Sequence, residues 1–295
     1  MKSVTLSEVL RLPHIPSVNL GFVERVSLPG RGRCRVRLVP PPAPGSPVVT
    51  LLHGWTATAD LNFATVMAPL SERFGIVAPD MRGHGGGIRS HERFSLESCA
   101  DDVAELLEVL DVGPSILLGY SMGGPIALLA ARRHPEAVRG LVLCATAARL
   151  GRSNAGRLAL GALGAVGMAA QSAMLRVVHQ GALPREVIRH LPTPLGHDLT
   201  QVAEVGTELA RFDARPWLDE IQMPTALVLT RNDHAVPPAD QQVLAQGLAG
   251  CRLFEVEGDH DVCLSPNPVF ESTVCAAVTE VALSSRRSAH RASAG

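Results

Sequence analysis

The chain alternates short apolar runs with longer segments that carry a helical pattern, and this alternation limits the folds open to it. The pattern favours a mostly parallel sheet, because parallel neighbours need a crossover connection and the crossover helices cover both faces of the sheet. The sequence therefore predicts an α/β fold of about eight strands, the first two forming a hairpin. The predicted strands span residues 22–28, 34–39, 48–54, 75–80, 115–120, 140–145, 225–230 and 251–258.

One connection is far longer than the others. Residues 146–216 lie between two predicted strands and contain more chain than one crossover helix needs. The sequence therefore predicts a core in two parts, residues 1–145 and 217–283, with an insertion at 146–216. The last segment, residues 284–295, is small and basic, which predicts a disordered tail.

The composition argues against partners recognised by charge. The chain of 295 residues has 27 Lys and Arg against 28 Asp and Glu, so its net charge gives no reason to expect nucleic acid or an anionic membrane as a partner. The six cysteines form no CxxC pair and no zinc-ligand spacing. This pattern is typical of small core residues in a reducing compartment.

Neither the beginning of the chain nor its longest apolar run carries a targeting or membrane signal. Residues 1–16 lack the apolar core and the cleavage site of a signal peptide. Residues 158–170 are too few and too rich in glycine for a membrane span. We expect a cytoplasmic protein without an integral membrane span, and the oligomeric state stays open.

The stretch GYSMGG places Ser121 between an apolar run and a helical pattern. The pattern GxSxG is weak by itself in a glycine-rich chain, but a strand, a sharp turn and a helix around it are informative. That geometry projects the serine oxygen above the sheet and turns the next backbone N–H toward the same point. Ser121 is therefore the candidate nucleophile, and a helix-capping serine in a turn is the alternative.

A serine nucleophile needs a base and a group that orients the base. Asp233 follows one late strand and His260 follows the next, in the order Ser, acid, His that this arrangement requires. Asp233 is the candidate acid and His260 the candidate base. Other residues fit less well, because they lie in a helix, in a loop, in the insertion or too close to the histidine; these are Asp240, His234, Asp198, Asp259 and Asp261.

The candidate oxyanion hole consists of the backbone N–H groups of Trp55 and Met122. The segment HGGG at 84–87 looks like an oxyanion motif, but it follows the strand at 75–80, whereas HGWT begins at the end of the earlier strand. We interpret 84–87 as a structural turn. Metal binding by His84 and His91 is a weak alternative, because the interval is loose and the sequence offers no third ligand.

The segments HGW, PDMRGHG, GYSMGG, RNDHAVP and GDHDVC, in that order, resemble the α/β-hydrolase superfamily over residues 20–145 and 217–283. Within it the chain resembles the capped esterases, lactonases and C–C bond hydrolases, in which a helical cap is inserted between the sixth and seventh strands. Serine at 121 argues against dehalogenases and epoxide hydrolases, which carry aspartate there. The resemblance implies acyl chemistry with Ser121 attacking, His260 relaying the proton and Asp233 holding the imidazole, without cofactor or metal.

The sequence favours a hydrolase of a carboxylic ester or lactone with an apolar acyl part. A helix formed by residues 158–175 would be apolar on nearly all of its surface and could not face solvent. Either it packs entirely within the predicted cap, or part of its surface forms the roof of a substrate pocket. In the second case Met168 and Met174 are candidate contacts for the acyl chain. An acyltransferase with the same triad and a slow-turnover ligand sensor stay open as alternatives.

Overall fold

The computed structural model describes residues 21–150 and 197–293. An eight-stranded sheet runs in the order β1-β2-β4-β3-β5-β6-β7-β8. β1 pairs antiparallel with β2 and β2 with β4, while every other pairing is parallel, so the predicted α/β fold and its first hairpin are confirmed. The strands are β1 Phe22–Leu28, β2 Gly32–Val39, β3 Val48–Leu52, β4 Gly75–Pro79, β5 Ser115–Tyr120, β6 Val138–Cys144, β7 Thr225–Thr230 and β8 Arg252–Val256.

Helices cover both faces of the sheet, because the central parallel strands are apolar on both sides. One apolar cluster joins α2, α3, α4 and α5 to one face, and a second joins α1 and α6 to the other. Thr58 caps the start of α1 and Ser95 the start of α2 through their hydroxyl oxygens. The helices are α1 Ala59–Ser71, α2 Leu96–Val109, α3 Gly123–Arg133, α4 Leu199–Arg211, α5 Pro238–Gly247 and α6 Pro268–Ser293.

The long connection between β6 and β7 lies where the sequence predicts the insertion. Its described part contains α4 and a short bridge between Arg149 and Asp213. The apolar segment 158–175, with Met168 and Met174, lies outside the described residues, as do residues 1–20, where the absence of a signal peptide is predicted.

The sequence predicts a disordered tail at 284–295, and the described part of that segment, residues 284–293, belongs to α6. Val281, Ala282 and Ser285 are buried on the packed face of this helix. All six cysteines are free, and four of them are buried. Within residues 21–150 and 197–293, no helix combines the length and the apolar character that crossing a bilayer requires.

Candidate active site

Ser121 lies in the turn between β5 and α3, with a backbone φ of +52°. This left-handed conformation is costly for a residue with a side chain, so the surroundings must hold it. The Ser121 N–H donates to the Cys144 carbonyl at 3.0 Å, and the Thr146 hydroxyl donates to the Ser121 carbonyl at 2.8 Å. A side chain on Gly123 would collide with the Leu52 carbonyl, so only glycine lets the turn pack this closely against β3.

The structure brings Ser121, His260 and Asp233 into one hydrogen-bonded line. His260 Nε2 lies 2.9 Å from Ser121 Oγ, and His260 Nδ1 lies 2.9 Å from Asp233 Oδ2. An ionised carboxylate only accepts, so Nδ1 carries the hydrogen and Nε2 is free to accept the hydroxyl hydrogen of Ser121. This is the arrangement that a hydroxyl needs to lose its proton as it attacks.

The Asp233 carboxylate is buried and held by several donors. Oδ1 accepts from the backbone N–H groups of Ala235 at 3.0 Å and Val236 at 2.7 Å, and Oδ2 accepts from the Thr230 hydroxyl at 2.8 Å. Gln241 in turn donates to the Thr230 hydroxyl at 2.9 Å and to the Val236 carbonyl at 2.7 Å. These contacts fix the carboxylate so that Oδ2 faces the imidazole of His260.

The neighbouring acids and histidine are engaged elsewhere. Backbone hydrogen bonds from His234 and His260 lower the pKa of Asp259 to about 2, and the His234 ring also contacts this carboxylate. The His234 side chain is 85% exposed. Asp240 lies within α5, Asp261 immediately precedes a short 3-10 helix, and Asp198 caps α4.

The loop that follows β3, residues 53–56, lies against Ser121. A Cβ on Gly54 would be 3.3 Å from Ser121 Cβ. His53 is buried: its Nδ1 donates to the Gly54 carbonyl, its Nε2 accepts from Met81 N–H, both at 2.8 Å, and burial lowers the pKa of its ring. The Trp55 indole N–H donates to the Val202 carbonyl of α4 at 2.7 Å, which ties the loop to the insertion.

The backbone N–H groups of Trp55 and Met122 donate to no acceptor among residues 21–150 and 197–293. Met122 follows Ser121 and its side chain is fully buried, whereas Trp55 is half-buried. A developing oxyanion beside Ser121 requires donors of this kind, which meet no acceptor in the described part of the chain.

The segment 84–87 forms a turn whose N–H groups are already used. Gly85 N–H donates to His197 Nδ1, Gly86 N–H to Asp80 Oδ2, and Gly87 N–H to the His84 carbonyl. His84 is completely buried, and its burial places the pKa of its ring well below the usual value. His91 is exposed, and the described part of the chain contains no group of three side chains able to hold a metal ion.

Two side chains beneath the site escaped the sequence analysis. The Tyr120 hydroxyl donates to the His260 carbonyl at 2.7 Å, and Asn62 contacts both Gly54 and Cys263. Tyr120 is the one tyrosine of the chain and directly precedes Ser121, so its position in the sequence could have indicated a role near the site. Nothing in the local pattern around Asn62 indicates its contacts.

Residues 47–165 match a family model described as the alpha/beta hydrolase fold. Over 223 residues, 71% of this chain and 84% of the relative, the chain is 34% identical to a pimeloyl-[acyl-carrier protein] methyl ester esterase of Neisseria meningitidis serogroup C. Solved structures with the same fold include an enol-lactonase from Burkholderia xenovorans, with a TM-score of 0.70, 24% identity and coverage of 87% of this chain and 100% of that one.

An esterase from Exiguobacterium antarcticum gives a TM-score of 0.69 at 22% identity and covers 88% of this chain and 99% of that one. At these identities the structures bear on the fold alone. The sequence relative, the family model and the eight-stranded sheet agree, and the chain belongs to the α/β-hydrolase family of enzymes.

Proposed function

We propose that the protein is a serine hydrolase that cleaves a carboxylic ester or lactone with an apolar acyl part through a covalent acyl-enzyme. The observation that carries this proposal is the line of contacts from Ser121 through His260 to Asp233, at 2.9 Å each, at the end of β5. The name of its sequence relative, a pimeloyl-[acyl-carrier protein] methyl ester esterase, agrees with an ester substrate.

In the first half of the reaction, Ser121 Oγ attacks the carbonyl carbon and His260 Nε2 takes its proton. The imidazolium that forms is stabilised by the buried Asp233 carboxylate, which receives the Nδ1 hydrogen. The N–H groups of Trp55 and Met122 donate to the oxyanion. Collapse of the tetrahedral intermediate breaks the bond to the leaving oxygen, and His260 returns the proton to it.

In the second half, water takes the place of the alcohol. His260 Nε2 accepts a proton from this water, whose oxygen attacks the acyl carbon, and the same donors stabilise the second oxyanion. The acyl bond to Ser121 then breaks and the serine recovers its proton from His260. A lactone follows the same path, with its leaving alcohol still joined to the acyl group until water releases the product.

Pre-steady-state hydrolysis of p-nitrophenyl esters tests the proposal. We expect a burst of nitrophenol that matches the enzyme concentration, no turnover by Ser121→Ala, and kcat/KM that rises with acyl length by up to about fourfold per methylene. Aliphatic lactones of graded length separate the two substrate classes. Turnover that depends on an added alcohol or thiol would instead identify an acyltransferase, and ligand binding without turnover would identify a sensor.

A further inference from the structure

Asn62, in the first turn of α1, contacts two loops that flank the reacting groups. Its Oδ1 accepts the Gly54 N–H at 2.6 Å, and its Nδ2 donates to Cys263 Sγ at 3.4 Å. Only 5% of Asn62 is exposed to solvent. The Gly54 N–H fixes the orientation of the amide, because only the oxygen can accept that hydrogen.

On one side, this amide holds the loop that carries Trp55. Gly54 is the residue before Trp55, so its N–H lies one peptide away from the proposed oxyanion donor. The same loop contains Thr56 with a φ of +60°, a costly conformation for a β-branched residue. The hydrogen bond from Gly54 to Asn62 therefore restrains a strained loop at the position that determines where the Trp55 N–H points.

On the other side, the amide donates to Cys263 Sγ, in the short 3-10 helix Val262–Leu264 that follows His260. Burial raises the pKa of Cys263 to about 11, so its side chain is a thiol that can both accept and donate. The hydroxyl of Tyr120, which lies directly before Ser121, donates to the His260 carbonyl at 2.7 Å. The Asn62 amide thus lies between the loop of the proposed oxyanion donor and Cys263, three residues after His260.

We propose that Asn62 is a positioning residue that aims the Trp55 N–H at the oxyanion by holding Gly54. This inference rests on the proposed esterase function, since it assigns Asn62 a role in that reaction. An aliphatic side chain of the same size would fill the space but leave the buried Gly54 N–H without its acceptor. The loop would then relax, and transition-state stabilisation would fall more than substrate binding.

The test compares Asn62→Leu, Asn62→Asp and Cys263→Ala with the wild type on p-nitrophenyl butyrate. For Asn62→Leu we expect kcat to fall about 30-fold, with KM within about twofold and a parallel loss of affinity for a trifluoromethyl ketone that forms a tetrahedral oxyanion adduct. Asn62→Asp keeps the acceptor for Gly54, so it should stay within about fivefold of the wild-type kcat. Cys263→Ala removes only the other contact and should stay within about threefold.

The results separate this inference from the function on which it rests. Loss of kcat in Asn62→Leu with recovery in Asn62→Asp supports the positioning role. Unchanged kcat in Asn62→Leu, a rise in KM alone, or an equal loss in Cys263→Ala would overturn it while leaving the esterase intact. A wild type that hydrolyses no ester or lactone would overturn the proposed function itself. If Asn62→Leu does not fold, Asn62→Ala removes the same acceptor without adding bulk, and the same outcomes apply.

Discussion

Two turns beginning with His-Gly follow neighbouring strands of the sheet, and they differ in what their backbone N–H groups do. After β4, the N–H groups of Gly85, Gly86 and Gly87 each donate to an acceptor within the protein. After β3, Gly54 N–H is engaged by Asn62, while the next N–H, on Trp55, has no acceptor among the described residues. An oxyanion hole needs donors that folding leaves open beside the nucleophile, and an oxyanion-like sequence pattern alone does not provide them.

The largest effects should follow from removing a member of the line from Ser121 through His260 to Asp233. We expect Asp233→Asn to lower kcat by about 10⁴-fold with a normal fold, because the amide favours the wrong tautomer of His260. Steady-state kinetics and circular dichroism measure the two quantities. Asp240→Asn in α5 is the control and should retain nearly full activity; a larger loss there than in Asp233→Asn would reverse the assignment of the acid.

Replacing glycine by alanine should mainly lower activity in the turn after β3 and mainly lower stability in the turn after β4. A Cβ on Gly54 would be 3.3 Å from Ser121 Cβ, so Gly54→Ala should displace the site slightly and lower kcat by about tenfold, with a small change in stability. A Cβ on Gly87 would collide with the Met81 carbonyl, so Gly87→Ala should lower the free energy of unfolding by about 2 kcal/mol or more, with normal kcat per folded molecule.

Urea unfolding measures the free energy of unfolding of both glycine variants, and active-site titration gives their kcat per folded molecule. If Gly87→Ala reduced kcat per folded molecule as strongly as Gly54→Ala, the contrast between the two turns would fail.

Lowering the pH should decrease the stability of the turn after β4 at pH values where ordinary carboxylates are still ionised. Burial lowers the pKa of His84, while the unfolded chain binds a proton there with a pKa near the ordinary value of 6.5. The unfolded state therefore gains protons first, and stability that is complete above pH 6.5 declines as the pH falls, by up to about 1.4 kcal/mol per pH unit for this histidine. His53 and His197 act in the same direction, since burial also lowers the pKa of each ring.

Thermal unfolding from pH 7.5 to 5.0 measures this slope, with an exposed histidine as the control. We expect His84→Leu to flatten the slope and His91→Gln to leave it unchanged. An equal acid slope in His84→Leu and the wild type would show that proton uptake at His84 does not contribute.

The smallest effect should come from the exposed histidine beside the site. The His234 ring contacts Asp259 and does not reach the line from Ser121 to Asp233. We expect His234→Gln to keep kcat within about twofold of the wild type, because the ring is exposed and contacts Asp259 instead of Ser121, His260 or Asp233. Loss of activity similar to that of His260→Ala would mean that His234 takes part in proton transfer.

The sequence was most informative where a local pattern and the order of elements along the chain pointed to the same residue. Residues around Ser121 combine an apolar strand, a crowded glycine turn and a helix, and the structure has a strand, a turn and a helix there. Asp233 was preferred because it follows the strand preceding that of His260, and the structure indeed places its carboxylate against the imidazole. The order of the strands along the chain can be read from the sequence, and it indicates which loops lie near each other at the edge of the sheet.

Contacts between distant residues were out of reach. Asn62 and Cys263 are separated by 201 positions, and Tyr120 and His260 by 140, with no periodicity that connects them. The end of α6 is a second case, because the small and basic composition of the last residues does not indicate a helix that continues to Ser293.

Covalent labelling tests directly whether Ser121 is the nucleophile. The wild type and Ser121→Ala are treated with a fluorophosphonate and analysed by intact-protein mass spectrometry and peptide mapping. We expect one adduct per wild-type molecule, located on Ser121, and no adduct on Ser121→Ala. Equal labelling of the two proteins, or an adduct mapped to another residue of the wild type, would contradict this assignment.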